Sequence, residues 1–250
     1  MLKRIFGFTL GLLSLITIFP AAAIEVHVAV AANFTSTLTQ LSEKFNQLTG
    51  NHLIISSGSS GKLYAQIKNG APFDVFLSAD IEHPQRLEQE HVTVPGSRFV
   101  YARGQLVLWG PKYQIKDGGD FLRKAQFKHL ALANPAIAPY GLAAMQTLTT
   151  LGLQDKLHSL LVRGEDIGQT FQFVSTGNAD AGFVALAQLR ALSGSTIGGY
   201  WMVPQAMYAP IEQQAVLLKH GAENSAARAF LDFLKGPQAR AMITRAGYAI

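Results

Sequence analysis

The sequence predicts an α/β protein of two lobes, each a mixed, mostly parallel sheet flanked by helices, with a ligand cleft between them. Three observations carry this expectation. Short β-rich runs alternate with stretches of helical periodicity, which is the pattern of βαβ units and parallel pairing. The alternation occurs twice, first from Val26 to Glu90 and again after His129. Two long extended passages, Arg98 to Pro111 and Tyr208 to Lys219, then join the two series. They read as the chain leaving one lobe near Gly104 and returning near Gln213, so that 24–104 with 213–250 forms lobe I and 105–212 forms lobe II. Lobes joined in this way close on a ligand by hinge motion.

The elements follow in order. Met1 to Ala23 carries Lys3 and Arg4, an uncharged apolar run from Ile5 to Phe19, then Pro20 and three alanines. Basic, apolar and small residues in that order make a secretory signal peptide. Cleavage after Ala23 places Ala21 and Ala23 at both small positions. "VHVAVA" (Val26 to Ala31) is the first strand. Phe34, Leu38, Leu41 and Phe45 then share one helical face, and Gly50 is the stop. Leu53 to Ser56 is a second strand, Leu63 to Ile67 opens a second helix, Phe73 to Ala79 is a third strand and Pro84 to Glu90 a helix. In the second series "HLALANP" is a strand, "YGLAAMQTLTTLGL" a helix, "LLVRGED" extended, "IGQTFQFVSTG" a short helix and "AGFVAL" a strand. An amphipathic helix from Ser225 to Leu234 and a shorter one after Pro237 close the chain.

Composition excludes several classes. There is no cysteine, so disulfides, thiol nucleophiles and a lipid-modified N-terminal cysteine are all ruled out. Of the 21 Lys and Arg, 19 remain without Lys3 and Arg4, against 16 Asp and Glu. That balance is only mildly basic, and no Lys/Arg cluster is interleaved with aromatics, so no nucleic-acid partner is expected. The leader's apolar run is shorter than the roughly 20 residues that span a bilayer. The mature chain, Ile24 onward, is expected to stay out of the membrane, free in a periplasm, and monomeric.

Four strand-to-helix junctions share one design: Ala31 to Thr35, Gly58 to Lys62, Ala138 to Leu142 and Glu165 to Thr170. The first turn of a helix has N–H groups without intrahelical acceptors, and its dipole adds partial positive charge. Together they favour an anion. In open α/β sheets the ligand crevice lies at these C-terminal strand ends. Singly, Asn33, Ser60 and Asp166 read as helix caps; four anion-ready starts, two per lobe, point to a cage. No junction carries Arg, and Lys62 at a helix start can point into solvent. A dianion held by neutral donors needs a dense hydrogen-bond set, and any proton on it would need an acceptor. Asp166 is the only nearby carboxylate. A tetrahedral dianion with no proton at neutral pH fits this better than phosphate.

Catalytic signals are poor. "SSGSSGKL" resembles a phosphate-binding P-loop but has Ser56 where the first glycine belongs and Leu63 where Ser or Thr would hold Mg²⁺. Gly58 to Lys62 also fails G-x-S-x-G. No two of the seven histidines have zinc-site spacing, and His83 beside Asp80 and Glu82 reads as a solvated loop. Tyr101, Trp109 and Trp201 read as core or cleft wall. The expectation is no enzyme and no cofactor.

The stretches "VAANFTSTL", "ISSGSSGKLYAQIKNGAPFDVFLSAD", "ANPAIAPYGLAAMQTLTTLG", "DIGQT" and "GFVALAQ" resemble the periplasmic molybdate-binding proteins of molybdate ABC importers. The similarity spans essentially the whole mature chain and is greatest with the subgroup that also takes tungstate. It implies a type II periplasmic-binding-protein fold, a small oxyanion ligand held only by hydrogen bonds, and an inner-membrane molybdate ABC permease as partner. By position it implies that Asn33 is the first-loop donor, that Ser60 gives hydroxyl and backbone N–H, and that Tyr140 and Ile167 give backbone N–H groups. Two departures stand out. Ala32 replaces a Thr, leaving only its backbone N–H. Ala185 stands where many members have a tyrosine donor, and Tyr140 is a candidate to compensate. A receptor for sulfate or another oxyanion, and an exported α/β hydrolase, are the alternative readings.

Overall fold

The computed structural model describes residues 23–192 and 198–250. Apart from Ala23 the signal-peptide segment lies outside them. β1 (Glu25–Ala31) is buried on both faces from Val28 onward, with Glu25 exposed and His27 half-buried before it, as befits the centre of a sheet. α1 (Thr35–Thr49) packs the expected stripe of Leu38, Leu41 and Phe45 inward and ends at Gly50 in the left-handed region, φ 75°. β2 (His52–Gly58), α2 (Ser60–Lys68), β3 (Val75–Leu77), α3 (Glu82–Gln89) and β4 (Phe99–Gly104) follow. β5 (Leu106–Gly110), α4 (Gly118–Lys124), β6 (Leu130–Ala133), α5 (Pro139–Thr150), α6 (Gln154–Leu157), β7 (Leu161–Gly164), α7 (Ile167–Ser175), β8 (Ala181–Ala185), α8 (Leu186–Arg190) and β9 (Gly199–Met202) make the second series. β10 (Ile211–Leu217), α9 (Ser225–Lys235) and α10 (Pro237–Arg245) complete the chain.

The strands form two five-stranded sheets, ordered β2-β1-β3-β10-β4 and β7-β6-β8-β5-β9. Each is mixed in the same way. β1 pairs parallel with β2 and β3, and β10 runs antiparallel to β3 and β4. β6 pairs parallel with β7 and β8, and β5 runs antiparallel to β8 and β9. The extended passage Arg98 to Pro111 is therefore two strands in two sheets, separated by Gln105 alone. The chain crosses back between Met202 and Ile211. Each sheet has its own apolar core. Phe34, Leu38, Phe45 and Phe230 pack in the first, and Leu106, Leu108, Leu148 and Phe183 in the second.

This topology brings the C-terminal ends of β1 and β2 opposite those of β6 and β7, each followed by a helix start. The approach of α5 to its sheet is close. A Cβ on Gly141 would lie 2.2 Å from the Ala133 carbonyl oxygen, a backbone atom that cannot step aside. Gly141→Ala should therefore cost about 1–3 kcal/mol of stability, the usual range for overpacking. Urea unfolding at equilibrium checks this, and an unchanged midpoint would show that α5 can shift freely.

Candidate anion site between the lobes

A small cavity lies between the two sheets. It is lined by Ala31, Ala32 and Asn33 after β1, Gly58, Ser59 and Ser60 after β2, and Ala79 after β3. From the other lobe come Ala138, Pro139 and Tyr140 at the start of α5, and Asp166 and Ile167 at the start of α7. All four junctions singled out in the sequence contribute. The cavity has room for about one water-sized group as it stands. The site suits a compact ion, not a nucleotide or a sugar.

The donors are chiefly backbone. Ser60 and Ile167 are the first residues of α2 and α7, and Tyr140 is the second of α5, behind Pro139. Pro139 has no N–H, so Tyr140 carries the first amide of its helix. These amides have no acceptor inside their helices, and no loop carbonyl or side chain among the described residues takes them up. The Ser60 hydroxyl oxygen accepts the Ala79 N–H at 2.9 Å. Its own hydrogen is left to donate, so Ser60 can give an anion two donors. No Lys, Arg or His lines the cavity; Asp166 is its one charged side chain.

Asn33 behaves differently. It sits in a 3-10 turn, Ala32–Phe34, and caps no helix. Its Nδ2 donates to Gln213 Oε1 at 3.0 Å and to the Tyr248 hydroxyl at 3.1 Å. The Tyr248 hydroxyl in turn donates to the Asn33 carbonyl at 2.7 Å. Oδ1 is buried without a partner among the described residues. Both amide hydrogens thus serve the fold, and what Asn33 can offer an anion is its backbone N–H. Ala32 has only backbone to offer. The cap of α2 is Ser59, not Ser60: its hydroxyl accepts from Lys62 N at 3.4 Å. Asp166 does cap α7, accepting from Gln169 N at 2.9 Å.

Ala185, at the end of β8, is buried and donates its N–H to Gln188 Oε1 at 3.0 Å; it does not line the cavity. The Tyr140 phenol runs to the lobe junction, where Gln213 Nε2 donates to it at 3.3 Å. Tyr101 donates to Gln213 Oε1 at 2.9 Å. These partners, Gln213, Tyr101 and Tyr248, lie far from the glycine-flanked loops that mark the site in the sequence, where Gln213 reads only as the return point between lobes and Tyr101 as core or cleft wall. Lys62 does not point freely into solvent. It pairs with Glu165 across the cleft at 2.7 Å, and Gly61 N donates to Ile137 O at 3.0 Å beside it. His83 is no solvated loop residue either: it is half-buried in α3 with Nδ1 2.7 Å from Asp80 Oδ2. Among the described residues no three His, Asp or Glu side chains could hold a metal ion.

Known proteins supply an independent line. A family model described as bacterial extracellular solute-binding protein matches residues 26–249. The chain belongs to that family. Among curated relatives of this solute-binding protein, the molybdate-binding protein ModA of Azotobacter vinelandii is 51% identical over 231 residues, 92% of each chain. ModA of Rhodobacter capsulatus is 47% identical, covering 92% of this chain and 90% of that one. The solved structure of an Azotobacter vinelandii periplasmic molybdate-binding protein superposes with a TM-score of 0.87 at 46% identity, covering 90% of this chain and 99% of that one. The architecture is thus the two-lobed type II periplasmic-binding-protein fold that the family resemblance implies.

Burial pushes the Tyr101, Tyr140 and Tyr248 phenols upward, well above the ordinary range for the first two. The raised values mean that the folded protein keeps its phenol protons where the unfolded chain loses them. Their stabilisation is fully present below about pH 10 and is lost as pH rises toward the folded values. The melting temperature should hold level up to about pH 10 and fall above it. Replacing all three tyrosines with Phe should flatten that alkaline limb; an identical limb in the triple variant would refute the assignment.

Proposed function

We propose that this solute-binding protein captures molybdate, and tungstate, in the periplasm and delivers it to an inner-membrane ABC permease. The observation that carries the reading is the cage itself. Three helix starts and a serine hydroxyl converge on one small cavity with no cationic side chain in its lining. The identity with the ModA proteins over nine-tenths of the chain supports molybdate as the ion. The oxyanion is held through Asn33, Ser60, Tyr140, Ile167 and Ala32, by hydrogen bonds alone and with no bond from protein to metal.

The remaining features fit a carrier. No helix among the described residues is long and apolar enough to cross a membrane. The protein works as a monomer without a cofactor, and its turnover is capture and release, not chemistry. Lobe I (24–104 and 213–250) and lobe II (105–212) close on the ion by hinge motion. Tungstate has the charge and shape of molybdate and fits the same donors. Sulfate has shorter bonds, so a cage fitted to the larger ion leaves its hydrogen bonds stretched.

Calorimetric titration of the purified protein with molybdate, tungstate and sulfate tests this directly. Tight binding of the two larger ions and weak binding of sulfate is expected; tight sulfate binding without molybdate binding would sink the reading. Ser60→Ala should weaken molybdate binding by about 1–3 kcal/mol, the cost of a hydrogen bond to a charged group. An affinity equal to wild type would remove Ser60 from the site.

A further inference from the structure

One buried side chain that joins the two halves of the cage is Gln213. It is fully buried in β10. β4 and β10 slip register beside it: Gln213 pairs with Ala102 and Gln214 with Val100, leaving Tyr101 unpaired on the bulged strand. Bulges re-aim side chains. Here the bulge delivers the Gln213 amide and the Tyr101 hydroxyl to one point at the lobe junction. Oε1 accepts from Tyr101 and from Asn33 Nδ2, the residue of the first loop in lobe I. Nε2 donates to the hydroxyl of Tyr140, the residue that carries the first amide of α5 in lobe II. Gly104 makes the space: a Cβ there would lie 2.1 Å from the Tyr140 hydroxyl and 2.9 Å from Gln213 Nε2.

We propose that Gln213 is a positioning residue that couples closure of the lobes to the geometry of the anion cage. The proposal rests on the oxyanion-receptor reading above. One amide holds a donor loop of each lobe. Its bond to Tyr140 can form only when the start of α5 is docked against lobe I, which is also the position that presents the Tyr140 N–H to the ion. Its bond to Asn33, with Tyr248 at the other end of that residue, fixes the direction of the Asn33 backbone. Opening the cleft therefore breaks the Gln213–Tyr140 bond in a buried setting, where an unpaired polar group is costly. The link acts chiefly on release of the ion.

The test is a double-mutant cycle of Gln213→Met, Tyr140→Phe and the pair, with molybdate dissociation followed by stopped-flow fluorescence and unfolding followed thermally without anion. Each single change should speed dissociation about 5- to 10-fold, the factor for losing a hydrogen bond. The pair should be no faster than the faster single variant. A purely structural role would lower the melting temperature while leaving dissociation unchanged; unchanged or fully multiplicative rates would overturn the proposal. Should Gln213→Met fail to fold, Tyr140→Phe keeps the ring, and a wild-type dissociation rate in it is equally decisive. Failure of the wild type to bind molybdate or tungstate would instead overturn the proposed function. The link is then judged by the cycle on thermal unfolding, where additive losses would overturn it.

Discussion

A doubly charged ion can be taken out of water only if something replaces the hydrogen bonds it gives up. Most of the structure follows from meeting that demand without a counter-charge. A lysine or arginine in the cavity would hold any anion strongly and discriminate little. Helix starts supply partial charge and directed N–H groups instead. They have to come from separate elements, because one helix start covers only one side of a tetrahedral ion. In the proposed site two helix starts from lobe II (α5, α7), one from lobe I (α2) and the turn after β1 meet this need. Asp166 stands at the rim of this donor set with one oxygen already committed to Gln169.

The sheets make that convergence possible. Each lobe repeats the same arrangement, parallel strands whose C-terminal ends hand over to helices, beside antiparallel strands that carry the chain across. The single residue between β4 and β5 keeps the lobes tightly linked, and β10 returns next to it. Consequently the junction is narrow and buried, and the polar groups that meet there are neutral. Tyr101, Tyr140, Tyr248, Asn33 and Gln213 hydrogen-bond to one another without an ion pair, and only Asn33 Oδ1 among their buried side-chain atoms is left without a partner among the described residues. A buried charge at the hinge would have to be paired in every position of the lobes; uncharged amides and phenols avoid that demand.

The fold was legible because its signals are local. Val26 to Val30, the Phe34–Phe45 stripe, the helix after Pro139 and the C-terminal helix all announce themselves by period. α4 escaped because it opens on Gly118-Gly119, which reads as a turn, although Asp117 caps it by accepting from Asp120 N. β9, four residues long, is too short for a period to show. At the site, helix starts were visible as small and polar residues after strands, and four of them could be counted. What Asn33 does was not visible. Its partners lie 180 and 215 residues away in sequence, and the β4–β10 bulge that aims Gln213 leaves no mark in composition. The Ser59–Ser60 assignment also turned on a single residue of helix start, which a sequence pattern does not resolve.

Two of the contacts that bridge the cleft, Lys62–Glu165 and Gly61–Ile137, are unequal. Lys62 and Glu165 are each about half exposed, with side-chain exposures of 48% and 52%, so water and salt screen their attraction and holding two long side chains costs entropy. The Gly61–Ile137 bond joins main chain to main chain and fixes where one helix start stands relative to the other lobe. That difference bears on selectivity. A cage built from flexible charged side chains could contract around a smaller ion. The amides of Ser60, Tyr140 and Ile167 cannot move without their helices, and those helices are packed onto sheets whose interiors have little free space. Because even a Cβ on Gly141 would come within 2.2 Å of the Ala133 carbonyl oxygen, α5 in particular packs too closely on its sheet to follow a shrinking ligand. On the proposed oxyanion reading, size discrimination in this site comes from the rigidity of the two packed sheets behind the donors rather than from the chemistry of the donors themselves.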